Sequence, residues 1–425
     1  MPVYHSLGHV PHKRHTQFRK PDGSLFSEQL MGSKGFSGMS SLLYHHHPPT
    51  MVRRIGDPVD AGVRLAPREA LRHHHLKTRG FKPQGDAVTG RRVLLANDDV
   101  SMAVCVPAVP MGYFYRNGQG DELVFVHRGT GRFETVFGTL SYRPGDYVVI
   151  PRGTTWRSVA DRGEQRFLVI ESASQVETPR RYRNEHGQLL EHSPYCERDI
   201  RRPEHLETHV ESGMFEVRVK ARGELTPYWF DFHPLDVVGW DGYLYPWIFN
   251  IEDFEPITGR IHQPPPVHQT FEGHNFVVCS FCPRKYDYHP QAVPVPYNHS
   301  NIDSDEVLYY VNGNFMSRRG IEAGSLTAHP QGIPHGPHPR AVEASLGRES
   351  TEELAVMLDT FRPLHLTAEA MGCDDPGYPA SWVEAPRRGG ARAAAGKKKR
   401  AAAAKPRRPG ARHFRESPAR DILIP

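Results

Sequence analysis

Three side chains in the second half of the chain have the types and spacing to hold a redox metal. The segment PYNHSNIDSDEVLYYVNGNF carries His299 and Glu306, and GSLTAHPQGIPHGPHP carries His335. Two imidazoles and one carboxylate form the facial ligand set that grips iron(II), Fe(2+), and leaves coordination positions open for a substrate and dioxygen together. Asp303 and Asp305 lie close enough to stand in for Glu306 if the segment is read in another register. In a chain with 26 histidines a lone imidazole means little, so the grouping carries the argument.

Such residues need short, sharply connected elements to bring them together. The 38 prolines and 38 glycines punctuate runs such as ELVFVHR, GDYVVIP, RFLVIE, NFVVCSF and EVLYYV. Short β-rich runs between frequent turns imply an all-β barrel or sandwich. Helical periodicity is weak; the clearest candidates are Glu69 to His75 and Thr351 to Asp359, and the last structured element is expected near Ala370.

An internal repeat sharpens the architecture. Glu122 is followed seven residues later by Gly129, and Gly145, Pro151, Gly153 and Trp156 then read G-x5-P-x-G-x2-W. Glu306 is followed seven residues later by Gly313, and Gly324, Pro330, Gly332 and His335 read G-x5-P-x-G-x2-H. This resembles the two-part signature of the cupin barrel, in which E-x6-G closes the first part and a histidine ends the second. Two copies imply a bicupin: two jelly-roll β-barrels with an irregular amino-terminal arm and a disordered basic carboxy-terminal tail. The E-x6-G spacing favours Glu306 over its aspartate neighbours. Four-ligand cupins carry HxH, but here the second position is Asn301, a poor iron ligand. The first copy has Trp156 in place of the histidine and RNGQGD where ligands would precede the glutamate, so that barrel is expected to be structural and without metal.

The expected divisions are an arm with accessory strands over 1–95, the degenerate barrel over 96–235, the catalytic barrel over 236–375 and the tail over 376–425. Five scattered cysteines read as reduced thiols, and Cys279 and Cys282, inside the apolar run FVVCSFC, read as buried and structural. The His45–His47 and His73–His75 clusters read as surface or arm segments, because consecutive side chains diverge too much to chelate one ion. No run of about 18 apolar residues is present to span a bilayer, and the first thirty residues lack a secretory apolar core, so a cytoplasmic protein is expected. Much of the net charge of +5 sits between Pro386 and Arg412. That stretch reads as a solvated extension rather than a nucleic-acid-binding surface.

Beyond the repeat, the chain resembles the homogentisate 1,2-dioxygenases of tyrosine and phenylalanine catabolism. The likeness rests on YHSLGHVPHKRHTQFR, GSLFSEQLMGSKGFSG, LLYHHHPPT, HSN, HGPHP and DTFRPL, and covers most of residues 1 to 370. It implies iron ligands at His299, Glu306 and His335, and substrate-contacting histidines at His262 and His329. The implied reaction is oxygen-dependent cleavage of a hydroquinone ring bearing an acetate, giving maleylacetoacetate. His262 would accept the phenol proton and His329 would hold substrate or a reduced oxygen intermediate. Oligomers built from trimers are also implied. Two positions depart from the family pattern. Six residues rather than five separate His299 from Glu306, and Phe315 stands where the family places a substrate-contacting tyrosine. A related hydroquinone such as gentisate is therefore an alternative substrate, and a cupin isomerase or a non-enzymatic metal-binding bicupin are alternatives of another kind.

Overall fold

The computed structural model describes residues 3–312, 315 and 320–383. Short antiparallel strands dominate it, and the helices are accessory. The first barrel is built from two large sheets. One orders the strands Ile200–Arg201, Trp247–Asn250, Asp146–Ile150, Asp121–Arg128, Arg166–Ser172, Val100–Cys105, Arg91–Ala96 and His365–Leu366. The other runs from Gly138–Tyr142 through Gly131–Thr135, Thr155–Ala160, Phe114–Asn117 and Ser212–Ala221 to Glu224–Phe232 and Arg54–Ile55. Aromatic and branched side chains between them, among them Phe133, Tyr142, Trp156 and Phe167, are almost wholly buried. The first sheet takes in Trp247–Asn250, beyond the division expected at residue 235, because that strand pairs with Asp146–Ile150.

The second barrel centres on a six-stranded sheet: Gln269–Gly273, Phe276–Phe281, Leu354–Thr360, Asp305–Asn312, Leu326–His329 and His74–Leu76. The repeat is visible in its register. Glu122 stands opposite Ile150 and Glu171, and Glu306 stands opposite His329 and Asp359. The turn glycines repeat as well: Gly145 and Gly324 have φ of 87° and 80°, and Gly153 and Gly332 have 82° and 80°. Residues with a Cβ resist that left-handed backbone, so glycine recurs where each barrel turns its corner.

Two helical expectations are corrected. The 351–359 stretch is mainly the strand Leu354–Thr360, hydrogen-bonded on both sides. Burial on both faces erases the polar alternation that marks an edge or half-exposed strand, and the apolar run LAVML then looks helical. In 69–75 only the end is regular, as the strand His74–Leu76.

The amino-terminal segment threads through the molecule. It builds a four-stranded sheet from His5–Gly8, Ser27–Gly32 and Ser40–His45 with Val237–Gly242, then supplies strands to both barrels. The histidine clusters are accordingly not surface decoration. His45, His73, His74 and His75 are buried, each on its own partner: His45 on Asp236, His74 on Asp374, His75 on Ser325, and His73 donating to the Pro334 carbonyl at 3.1 Å. Ordered structure also runs past Ala370, to a 3-10 turn at Tyr378–Trp382. Cys279 and Cys282 are buried free thiols. Residues 376–383 of the tail expected over 376–425 thus belong to this structured part, and 384–425 lie outside the described residues.

Candidate metal centre

The strand Asp305–Asn312 aims its first two side chains in opposite directions, as a pleat requires. Asp305 accepts the backbone N–H groups of Gln331 at 2.8 Å and Leu364 at 2.7 Å, so it ties the corner of the barrel. Glu306 is left to face the imidazoles, which resolves the choice among neighbouring carboxylates. His299 and His335 are brought together by paired backbone bonds, each N–H donating to the other's carbonyl at 2.8 Å. A side chain at Gly336 would strike Asn298, so glycine permits this close approach. The Asn301 carbonyl accepts the Gly332 N–H at 2.8 Å and pins the turn that leads to His335.

Ligand atoms of His299, Glu306 and His335 all lie within 4.8 Å of one another. His299 Nε2 is 3.4 Å from Glu306 Oε2, and His335 Nε2 is 3.2 Å from Oε1. Both ring nitrogens of His335 and Nδ1 of His299 are buried without a hydrogen-bond partner, although the carboxylate is so near. Burial works to raise the Glu306 pKa, but the adjoining imidazoles of His299, His329 and His335 hold it well below the usual carboxylate range. A deprotonated carboxylate with two orphaned imidazoles converging on one point fits a divalent metal ion.

His329 stands beside the carboxylate. Wholly buried, it donates from Nδ1 to Glu306 Oε1 at 2.9 Å, while the Tyr378 hydroxyl lies 3.2 Å from Nε2. It stacks on His335 with ring centroids 4.3 Å apart and is not on the wall of the cavity beside the ligands. The geometry makes it a positioning residue for the carboxylate, held from behind by the turn that carries Tyr378 and Trp382.

That cavity, about 190 Å³, has His299 and Glu306 on its wall, together with His262, Tyr297, Leu308, Phe315 and Met357. An apolar cavity of about 150 Å³ takes a benzene, so the volume suits one substituted ring. Larger clefts of about 670 and 470 Å³ lie over the first barrel, but neither contains the imidazole–carboxylate cluster. His262 is exposed, with Nδ1 3.3 Å from Asp287 and Nε2 3.0 Å from the Tyr297 hydroxyl. Phe315 is buried and packs edge-on against Tyr310 at 4.5 Å. Sequence reasoning missed Asp287, Tyr297 and Tyr378. Tyr297 was discoverable, standing two residues before His299; the other two carried no local signal.

In the first barrel the equivalent carboxylate has other company. Glu122, fully buried, accepts from Arg91 at 2.5 Å, Asn117 at 3.1 Å and Tyr115 at 3.2 Å. Trp156 fills the histidine's position, packed on Tyr115 and Phe133.

Residues 90–251 match the family model for the amino-terminal part of homogentisate 1,2-dioxygenase. A protein of Saccharolobus solfataricus with a provisional dioxygenase name is 43% identical over 385 residues, covering 90% of this chain and 99% of that protein. The homogentisate 1,2-dioxygenase of Rhodopseudomonas palustris is 26% identical over 398 residues, covering 84% of this chain and 86% of its own. That of Bradyrhizobium diazoefficiens is 28% identical over 277 residues, or 61% of this chain and 59% of its own. Near end-to-end similarity to the first of these, together with the family match across the first barrel, shows that the chain is a dioxygenase and a divergent member of the homogentisate 1,2-dioxygenase family.

Proposed function

We propose that this protein is an iron(II)-dependent ring-cleaving dioxygenase acting on a hydroquinone, with homogentisate as the first candidate and maleylacetoacetate as its product. The observation that carries the reading is the His299–Glu306–His335 cluster opening on a cavity of single-ring size. His299, Glu306 and His335 would hold the metal, with His329 and Tyr378 keeping the carboxylate turned toward it. Bound iron(II) supplies adjacent positions for a phenolate and dioxygen, and a path for electrons between them.

The chain's own groups do the rest. His262 would take the phenol proton, with Asp287 behind Nδ1 to steady the ring. The Tyr297 hydroxyl, already 3.0 Å from His262, can pass to a substrate oxygen. Leu308, Phe315 and Met357 give the ring an apolar seat and thin out water around it. Ring cleavage incorporates both oxygen atoms, so no external reductant is needed.

Phe315 favours a second reading within the same class, a related hydroquinone such as gentisate, because the wall at that point offers no hydroxyl. The test is oxygen uptake by protein loaded with iron(II) under anaerobic conditions, with homogentisate and gentisate compared and the ring-opened product followed by ultraviolet absorbance. Absence of uptake with both would refute the proposal. The family likeness also leads us to propose a trimer-based homo-oligomer, which light scattering on a sizing column would test.

A further inference from the structure

The first barrel lacks the metal ligands of the second but keeps room for a guest between its two sheets. Clefts of about 470 and 670 Å³ adjoin there, sharing Gly62, Val93, Ser101, Glu171 and Lys220. The smaller reaches Arg91 and Tyr115, which both donate to Glu122, the carboxylate that repeats Glu306. Its apolar lining comes from Val93, Ala103 and Val169 on one sheet and Leu225 on the other. A cleft of this volume, mostly apolar with a few converging polar groups, suits a small molecule.

The polar groups carry charges of both signs. Lys220, on the strand Ser212–Ala221, donates at 2.5 Å to Glu171 on Arg166–Ser172, so the pair bridges the two sheets. Their side chains are only 17% and 13% exposed. Gln119 donates to the other Glu171 oxygen at 3.0 Å and accepts the Gly223 N–H at 3.1 Å, which fixes the carboxylate. Burial works to raise the Glu171 pKa, but the adjoining Lys220 holds it below the usual range, so the carboxylate is charged at neutral pH.

Such a pair stabilises a fold weakly, because desolvating two charges cancels most of what their attraction returns. It can serve as a receptor. Lys220 has three N–H groups and commits one among the described residues, and each carboxylate oxygen accepts more than one bond. A guest with a single charge would draw one partner away and strand the other in a half-buried site. A guest with both charges leaves neither unpaired. Above the cleft, the chain is anchored where Val59 and Asp60 pair with Leu225 and Glu224 and where the Ala66 N–H donates to the Leu366 carbonyl at 2.8 Å. Between these anchors, Ala61, Gly62 and Val63 line both clefts.

We propose that the first barrel binds a free amino acid with an apolar side chain, its carboxylate on Lys220, its ammonium on Glu171 and its side chain against Val93, Val169 and Leu225. The site lies in the other barrel from the metal cluster and does not depend on the ring-cleaving reading. No bond is made or broken there.

The test is calorimetry on iron(II)-loaded protein under anaerobic conditions. It compares L-phenylalanine with 3-phenylpropanoate, which lacks the ammonium, and with phenethylamine, which lacks the carboxylate. Phenylalanine should bind at least about 10-fold more tightly than either, the scale of one charged hydrogen bond. Lys220→Met and Glu171→Gln should each remove most of that advantage while metal per chain stays as in wild type. On adding phenylalanine, hydrogen exchange should slow in residues 59–65 and 217–225 and not around His299 and His335. That mapping uses the wild-type protein, so it decides the matter if either variant fails to fold. No binding of phenylalanine, equal binding of an analogue with one charge, or a preference that survives in both folded variants would each overturn the proposal. So would protection centred on His299 and His335, which would mean that the amino acid chelates the metal.

Discussion

Asp359 lies directly opposite Glu306 where the strands Asp305–Asn312 and Leu354–Thr360 run antiparallel, so a half-buried and a buried carboxyl share one end of the sheet. The pair divides its protonation. Burial, and after it the charge of Glu306, pushes Asp359 well above the ordinary carboxylate range, while the imidazoles hold Glu306 well below it.

The first prediction follows from that division. In metal-stripped protein the native state keeps the Asp359 proton after the unfolded chain has released it. Its contribution to stability is full below the ordinary carboxylate pKa and is lost as pH rises through the raised folded value. Asp359→Asn cannot ionise and should flatten that decline, leaving the variant more stable than wild type at alkaline pH. Thermal melts from about pH 4 to about pH 9 read it directly, spanning the carboxylate range and above. Equal slopes in the two proteins would show that Asp359 is not the group responsible.

The repeat makes a paired prediction. His335→Ala should abolish iron retention, measured as metal per chain after desalting. Trp156→Ala should leave metal content unchanged and cost about 3–5 kcal/mol of stability, because it empties a packed site between Tyr115 and Phe133. Equal loss of metal in both would overturn the assignment of the site to the second barrel.

Behind the ligands, His329→Ala should weaken iron affinity about 10- to 100-fold, the usual effect of removing a group that orients a ligand. Tyr378→Phe, one contact farther out, should have a smaller effect in the same direction. Titration against a competing chelator separates the two, and an affinity unchanged by His329→Ala would mean that Glu306 needs no such support.

Phe315→Tyr would return a hydroxyl to the cavity wall. If homogentisate is the substrate, kcat/KM for it should rise about 5-fold, the worth of one modest hydrogen bond. A fall for homogentisate with no change for gentisate would favour the second substrate.

What could be read in advance was what is local or repeated. Glu306 and His335 stand at spacings that recur in Glu122 and Trp156, and turns built on glycines such as Gly145 and Gly324 can be seen without a structure. Tyr378 could not be anticipated, because it reaches His329 from 49 residues away through a turn beyond the expected end of the fold.

The Arg91–Glu122 pair has a consequence for how the protein is made. A buried carboxylate needs a counter-charge, and the first barrel carries its own in the guanidinium of Arg91, whose pKa that carboxylate raises further despite burial. The first barrel's buried carboxylate is therefore satisfied without a metal ion. The second barrel packs against it, with His127 and Arg166 both reaching across to the Tyr309 hydroxyl. Metal loading can then follow synthesis, and iron starvation should yield folded, reactivatable protein rather than aggregate.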